Sequence, residues 1–192
     1  MSSRISKAGP QHAWPVYVCA ALIAISTGVV LWRLAAGPES RTHTRQQPDQ
    51  RTMRAVLTRS WATDSGEMVR PESFDSKYLV LYLFTPQDCA ACLFELAGLS
   101  RFSPEHPDFR VVPVMGFSNA DEARQTRANL GLDIPILQDP QGELVRALAP
   151  PKMPWKIVVE TATGKVLLED LPAADTFAAQ KFLGRLEALE RR

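Results

Sequence analysis

Cysteine is scarce in this sequence, because its 192 residues include only Cys19, Cys89 and Cys92. Three cysteines are too few for a scaffold held together by disulfides, and they exclude a zinc site made of four cysteines. A mixed site would need a histidine, and neither His43 nor His106 has a partner at ligand spacing. We therefore expect no metal and no other cofactor.

An excess of charge of one sign is also absent. The chain has 22 Lys and Arg against 21 Asp and Glu, a formal net charge of +1, so nucleic acid is not an expected partner. The charges are unevenly divided. Residues 1–54 carry seven basic and two acidic side chains, and residues 55–192 carry fifteen and nineteen. The basic part surrounds an apolar stretch, which indicates contact with a membrane surface.

That apolar stretch runs from Val16 to Trp32, seventeen residues without a charge. With a few flanking residues it is just long enough to cross a bilayer as a helix. A cleaved signal peptide is the alternative, but Arg33 or Leu34 would then occupy the third position before the cut, where a small residue is needed. We predict a short cytoplasmic tail over 1–13 and an uncleaved transmembrane signal-anchor over 14–36.

Two signals in the sequence disagree about the orientation of this single span. Two basic residues precede it and four follow it closely, so the positive-inside rule does not favour export of the C-terminal part. The short N-terminal tail and the thiol chemistry described below do favour export, and we predict that the C-terminal domain is extracytoplasmic.

Residues 37–54 are polar without periodicity and are predicted to be a flexible linker. Residues 55–192 then form one domain.

Strand and helix patterns alternate along this domain. The run from Lys77 to Phe84 is apolar throughout, which predicts a strand buried on both faces. The later patterns predict a helix over 89–101, a strand over 110–117, a helix over 121–130, an extended segment over 134–137, a turn over 139–142, a helix over 143–148, a hairpin of 156–160 with 165–169, and a last helix ending near Glu190. This order predicts an α/β fold whose mixed central sheet has helices on both faces.

Cys89 and Cys92 come directly after the buried strand and open the next helix. A thiol in the first turn of a helix faces unpaired N–H groups and the positive end of the helix dipole, which favour the thiolate. Cys89 is therefore the expected attacking thiolate, and Cys92, one turn further on, the resolving thiol. The alternatives are a buried structural pair or half of a zinc site, but the position between strand and helix favours redox chemistry.

Residues 67–190 resemble the thioredoxin superfamily, and within it the membrane-anchored or secreted TlpA/ResA-like branch, which is related to the AhpC/TSA redoxins. The resemblance is carried by YLVLYLFTPQDCAACLFEL (78–96), IPILQDPQGELVRAL (134–148) and MPWKIVVETATGKVL (153–167). It implies a thioredoxin-like fold and a thiol–disulfide oxidoreductase. Such a protein would act as a reductant of exported protein disulfides and receive electrons from a membrane donor.

The resemblance also implies roles for particular residues. Cys89 and Cys92 match the attacking and resolving cysteines, which together form the redox-active disulfide. Pro154, preceded by Met153, matches the cis-proline that receives the substrate backbone, so these two are the expected substrate-binding residues. Glu95 matches a glutamate implicated in proton transfer, and its spacing places it on the helix face of Cys92. The alternative for Glu95 is an ordinary solvated carboxylate.

Three departures from the family pattern bear on the chemistry. Asp88 stands where Trp is usual, and an acid beside Cys89 would oppose the thiolate if it pointed inward. Leu83 stands where plain thioredoxin has a buried Asp, so that proton acceptor is missing and a role of Glu95 in proton transfer would become more important. The pair Ala90–Ala91 between the cysteines leaves the direction of electron flow open.

Two other functions are weaker alternatives. A thiol peroxidase would need Thr or Ser three residues before its cysteine, and Pro86 occupies that position. A redox-inactive binding module that kept the fold is the alternative from a different class, and the intact cysteine pair counts against it.

Overall fold

The computed structural model describes residues 48–88, 90–171 and 176–191, except for the side chains of Ala91, Cys92 and 176–178. The predicted tail and signal-anchor lie outside these residues, as does the predicted linker up to residue 47. In the described part of the chain, no helix is both long enough and apolar enough to span a membrane.

Helices and strands alternate along the described chain. In order they are α1 (Gln50–Thr58), β1 (Trp61–Ala62), β2 (Met68–Val69), a short 3-10 helix (Pro71–Ser73), β3 (Tyr78–Phe84), α2 (Ala90–Glu105), β4 (Phe109–Gly116), α3 (Ala120–Leu130), β5 (Leu137–Asp139), α4 (Glu143–Leu148), β6 (Trp155–Glu160), β7 (Val166–Asp170) and α5 (Thr176–Glu190). Strands β1 and β2 pair as a small antiparallel ribbon, and the five later strands form one sheet.

The main sheet has the order β5-β4-β3-β6-β7, so β3 lies at its centre. Strands β3, β4 and β5 are mutually parallel, whereas β6 runs antiparallel to β3 and β7 antiparallel to β6. All seven residues of β3 are buried, as expected for a central strand covered on both faces. The predicted mixed sheet is confirmed.

Alternate side chains of β3 belong to two different cores, because successive side chains of a strand point to opposite faces. Tyr82 and Phe84 join the first core, to which α2 and α5 contribute. Leu81 and Leu83 join the second core, to which α1 and α4 contribute. The prediction of helices on both faces of the sheet is therefore confirmed.

Most of the predicted elements are found within four residues of their predicted ends. Local signals explain this agreement, and α3 is an example. The side chain of Asn119 accepts a hydrogen bond from the N–H of Glu122, and the Glu122 carboxylate accepts one from the N–H of Asn119. Gly131 ends the helix in the left-handed conformation, which glycine adopts without steric cost.

The prediction of a flexible linker over 37–54 is wrong at its C-terminal end, because α1 begins at Gln50. Met53 is fully buried in the second core and fixes the helix to the domain. Two of the polar side chains that suggested a linker, those of Gln50 and Arg54, form hydrogen bonds with the backbone of the turn between β6 and β7. Gln50 Nε2 donates to the Thr163 carbonyl at 2.8 Å, and Arg54 Nη1 donates to the Ala162 carbonyl at 2.9 Å. The domain therefore begins before residue 55.

The extended segment predicted over 134–137 is also displaced, because the strand occupies Leu137–Asp139. Pro135 has no N–H to donate to a strand ladder. The N–H of Ile136 donates to the buried carboxylate of Asp64 at 3.0 Å. Pairing with β4 therefore begins only at Leu137.

Candidate active site

One edge of the sheet brings together the segments that the sequence assigns to the site. The carboxyl ends of the parallel strands β3 and β4 meet there, and the antiparallel β6 begins there, with Trp155 opposite Leu83. The turn that leads into α2 and the Met153–Pro154 peptide therefore share this edge. That peptide bond is cis, as the resemblance implies, and Pro154 is buried while Met153 is partly exposed. Substrate binding by this pair stays a prediction.

The two cysteines are only partly covered by the structure. Cys89 lies outside the described residues, and Cys92 is described only as the third residue of α2, without its side chain. The helix begins at Ala90, so the prediction that this segment opens a helix is confirmed. The disulfide between Cys89 and Cys92 stays a prediction.

Asp88, the acid next to Cys89 in the sequence, takes part in the turn after β3. Its carboxylate accepts a hydrogen bond from the N–H of Thr85 at 2.6 Å, and its own N–H donates to the Thr85 carbonyl at 3.2 Å. Side chains of Asp commonly close turns in this way. The carboxylate of Asp88 is thus bound to the backbone that connects β3 to α2.

Glu95 lies one turn after Cys92 on α2, and its side chain is only 5% exposed. One carboxylate oxygen lies 2.5 Å from Nζ of Lys156, whose side chain is 1% exposed. The other oxygen accepts a hydrogen bond from the hydroxyl of Tyr82 at 3.4 Å. The alternative in which Glu95 is a solvated helix carboxylate is therefore wrong, whereas its role in proton transfer stays a prediction.

The surroundings of Tyr82 make its ionisation less favourable. Burial raises the pKa of the Tyr82 phenol, and the negative charge of Glu95, its hydrogen bond and the charge of Asp88 raise it further. A phenol with an ordinary pKa of about 10 is already neutral at pH 7, and these surroundings disfavour its ionisation further, so Tyr82 acts as a donor toward Glu95. The ammonium of Lys156 and the phenol of Tyr82 are thus both donors toward the Glu95 carboxylate.

Leu83 and Glu95 do not occupy equivalent places. Leu83 belongs to the second core, together with Trp155, which lies opposite it on β6. Tyr82 and Lys156, which contact Glu95, form the pair next to Leu83 and Trp155 on strands β3 and β6. Because successive side chains of a strand point to opposite faces, this pair lies on the other face of the sheet from Leu83 and Trp155. An acid at position 83 would lie on the opposite face of the sheet from Glu95. Glu95 therefore does not take the place of the buried Asp that plain thioredoxin has at the position of Leu83.

Sequence reasoning missed Lys156 and Tyr82 as members of this cluster. A signal was present, because Lys156 interrupts an otherwise apolar strand between Trp155 and Ile157. A charged residue at a position predicted to be buried is uncommon unless it is paired. Its partner could not be identified without the register of β6 on β3.

Comparisons with solved structures place this architecture among known folds. No protein-family model matches the sequence, and no curated protein does. A secreted disulfide oxidoreductase of Mycobacterium tuberculosis, homologous to DsbE of E. coli, is similar at 20% identity with a TM-score of 0.59, over 70% of this chain and 98% of that one. A thioredoxin-like protein from Aeropyrum pernix is similar at 13% identity with a TM-score of 0.55, over 71% and 93%.

The chain has a thioredoxin-like fold. Peroxiredoxin Q of Xanthomonas campestris shares this architecture at 16% identity with a TM-score of 0.60, over 71% of this chain and 94% of that one. At such identities the likeness establishes the fold alone. Because one fold can carry many functions, the function of this chain has to be argued from the chemistry of its own residues.

Proposed function

We propose that this protein is a thiol–disulfide oxidoreductase whose reacting groups are Cys89 and Cys92. One observation carries the proposal: a Cys-x-x-Cys segment joins the buried strand β3 to helix α2, at the sheet edge that also holds the cis bond before Pro154. The likeness to a disulfide oxidoreductase supports it.

The position of Cys89 in the sequence suits it to be the attacking thiol. It immediately precedes Ala90, the first residue of a 16-residue helix. The N-terminus of a helix offers unpaired N–H groups and a positive partial charge, which stabilise a thiolate. Cys89 would attack a partner disulfide to form a mixed disulfide, and Cys92 would attack Cys89 to release the reduced partner.

We extend the proposal to the cellular setting. The segment 14–36 anchors the chain in a membrane as a single span, and the domain lies on the extracytoplasmic side. There it reduces disulfides of exported proteins and is itself reduced by a membrane electron donor. Fractionation tests the anchor: the full chain should stay with membranes after alkaline washing, while a variant lacking residues 1–47 should be released. Release of the full chain would contradict the anchor.

A redox titration tests the proposed activity. The full chain, with Cys19 replaced by Ser, is equilibrated in dithiothreitol buffers of graded potential, and its free thiols are counted by alkylation and mass measurement. We expect one reversible two-electron couple, for which a tenfold change in the equilibrium constant corresponds to about 30 mV. The Cys89→Ser and Cys92→Ser variants should each lack it. A wild-type chain without a couple would indicate the redox-inactive binding module instead.

The likeness to peroxiredoxin Q makes a thiol peroxidase the second candidate. Pro86 stands at the position where a peroxidase would need a hydroxyl to bind the peroxide. We therefore expect hydrogen peroxide to be consumed no faster by the wild-type chain than by its Cys89→Ser variant. Rapid, Cys89-dependent consumption would favour the peroxidase.

A further inference from the structure

Phe117, the first residue after β4, has a backbone conformation that is unusual for its side chain. Its φ is 56°, in the left-handed region that glycine and asparagine occupy more readily than a bulky residue. This conformation costs stability, because the Cβ atom approaches the following carbonyl oxygen. Phe117 is 53% exposed, so burial of its ring offsets only part of that cost. Stability alone therefore does not explain a phenylalanine at this position.

Hydrogen bonds fix the backbone around Phe117, and its ring has a defined support. The N–H of Phe117 donates to the Asp139 carbonyl at 2.9 Å, and the hydroxyl of the buried Ser118 donates to the Met115 carbonyl at 3.2 Å. The ring lies directly over Gly142, at the start of α4, where it occupies the place that a Cβ atom would take. An aromatic side chain held in this way loses little conformational freedom when a ligand binds to it.

Phe117 lies at the sheet edge that also holds the Met153–Pro154 peptide. Strands β3 and β4 are parallel, and their last pair joins Phe84 and Met115, so Phe117 comes just beyond the carboxyl end of β4. Met153 comes just before β6, which pairs with the other side of β3. Neighbouring strands are about 4.8 Å apart, so the end of β4 and the start of β6 are separated by about 10 Å.

Two more apolar side chains lie along this edge. Val145 of α4 is partly exposed and lies against Gly116, the last residue of β4. Val145 and the partly exposed Met153 both pack against the second core. Aromatic residues are enriched at the centres of protein interfaces, where smaller apolar contacts surround them. Phe117, with Val145 and Met153 on the same edge, has the properties of such a residue.

We propose that Phe117 is a specificity-determining residue, which binds an aliphatic or aromatic side chain of the polypeptide whose disulfide reacts with Cys89. This inference rests on the proposed function and names its substrate class, which is protein disulfides with an apolar residue nearby in the chain. Phe117 is not among the residues to which the family resemblance gives a role.

The spacing explains why the partner is a polypeptide. An extended chain advances about 3.3 Å per residue, so about three residues span the distance of about 10 Å between Met153 and Phe117. A chain that contacts Met153 and Pro154 beside its own cysteine can therefore place a side chain on Phe117. A compact, polar disulfide of low molecular weight does not reach Phe117 in this way and gains nothing from an apolar ring.

The test uses short peptides, each with one cysteine in disulfide linkage to an aromatic thiol that is coloured when released. A single leucine is placed at each position in turn in a background of serine and glycine. The reduced full chain, with Cys19 replaced by Ser, attacks the peptide sulfur through Cys89, and release of the coloured thiolate gives the second-order rate constant. We expect leucine about three residues from the cysteine, on one side, to raise this constant about tenfold, near the lower end for burial of a leucine side chain.

Variants of Phe117 show whether its ring causes this preference. Phe117→Asn removes the ring, and asparagine tolerates the left-handed conformation, so the fold should persist. This variant should lose the leucine preference but keep the wild-type rate with the leucine-free peptide and with the free aromatic disulfide. Phe117→Tyr keeps the ring and should keep the preference. Met68→Asn makes the same kind of change at an exposed apolar residue of β2 and should leave every rate unchanged.

A second variant, Phe117→Gly, also relieves the backbone strain and keeps the test decisive if Phe117→Asn does not fold. A leucine preference that persists without the ring, or a wild-type chain without the preference, would overturn the inference. An equal loss of rate with all substrates would also overturn it, since the role of Phe117 would then be structural. Failure of the proposed function is distinguishable, because the wild-type chain would then release no more thiolate from any substrate than its Cys89→Ser variant.

Discussion

Replacing Leu83 by Asp is expected to lower the free energy of unfolding by about 3–5 kcal/mol at neutral pH, the range measured for an uncompensated buried charge. Leu83 is fully buried in the second core, where its neighbours are apolar. Leu83→Asn provides the matched control, because it has nearly the same shape as Asp and does not titrate.

The pH dependence of this destabilisation follows from the sign of the pKa change. Burial without a cation raises the pKa of the new carboxyl in the folded state above its unfolded value of about 3.9. Below that value both states hold the proton, and the Asp and Asn variants should be similarly stable. As the pH rises, the unfolded state ionises first, so the Asp variant loses stability until the pH passes the folded pKa.

Urea unfolding at a series of pH values measures this effect. The Asp and Asn variants should diverge as the pH rises from about 4 toward neutrality. Leu171→Asp, at a position 45% exposed, should change stability by only about 0.5 kcal/mol. Equal stability of the Asp and Asn variants at neutral pH would contradict the placement of position 83 in an apolar core.

Local patterns in the sequence predicted the central elements of the fold. The apolar run at β3 and the capping residues around α3 are signals contained in a few neighbouring residues. The hairpin of β6 and β7 was likewise indicated by two strand patterns on either side of a short turn. For these elements, local preference and the final structure agree.

The elements that the sequence did not indicate depend on distant contacts. Helix α1 has a polar composition that resembles a linker, and it is held by the buried Met53 and by bonds to the turn near Thr163. The start of β5 depends on Asp64, which is 72 residues away from the N–H that it binds. Strands β1 and β2 have two residues each, too few to show a period.

The candidate site was also predictable only in part, because some of its features depend on contacts between residues far apart in the sequence. The cis bond before Pro154 followed from the family resemblance, since most X–Pro bonds are trans. The burial of Glu95 and its pairing with Lys156 required the packing of α2 on the sheet and the register of β6. A carboxylate on a helix gives no local sign of whether it faces solvent or a buried ammonium.

Replacing Cys92 by Ser is expected to convert a transient mixed disulfide into a lasting one. Resolution by Cys92 is intramolecular, and well-oriented intramolecular reactions reach effective molarities of about 10⁵–10⁸ M. A serine hydroxyl cannot perform this attack. The partner should therefore remain bonded to Cys89, and the adduct should accumulate instead of turning over.

Trapping with this variant tests the central claim most directly. The Cys92→Ser chain, with Cys19 also replaced, is mixed with a disulfide-bonded peptide and with exported proteins in their disulfide form, and adducts are mapped by non-reducing electrophoresis and mass spectrometry. We predict adducts bonded only through Cys89, released by dithiothreitol and absent when Cys89 is also Ser. Failure to form any adduct, with Cys89 shown to react with an alkylating agent, would contradict disulfide exchange with protein partners.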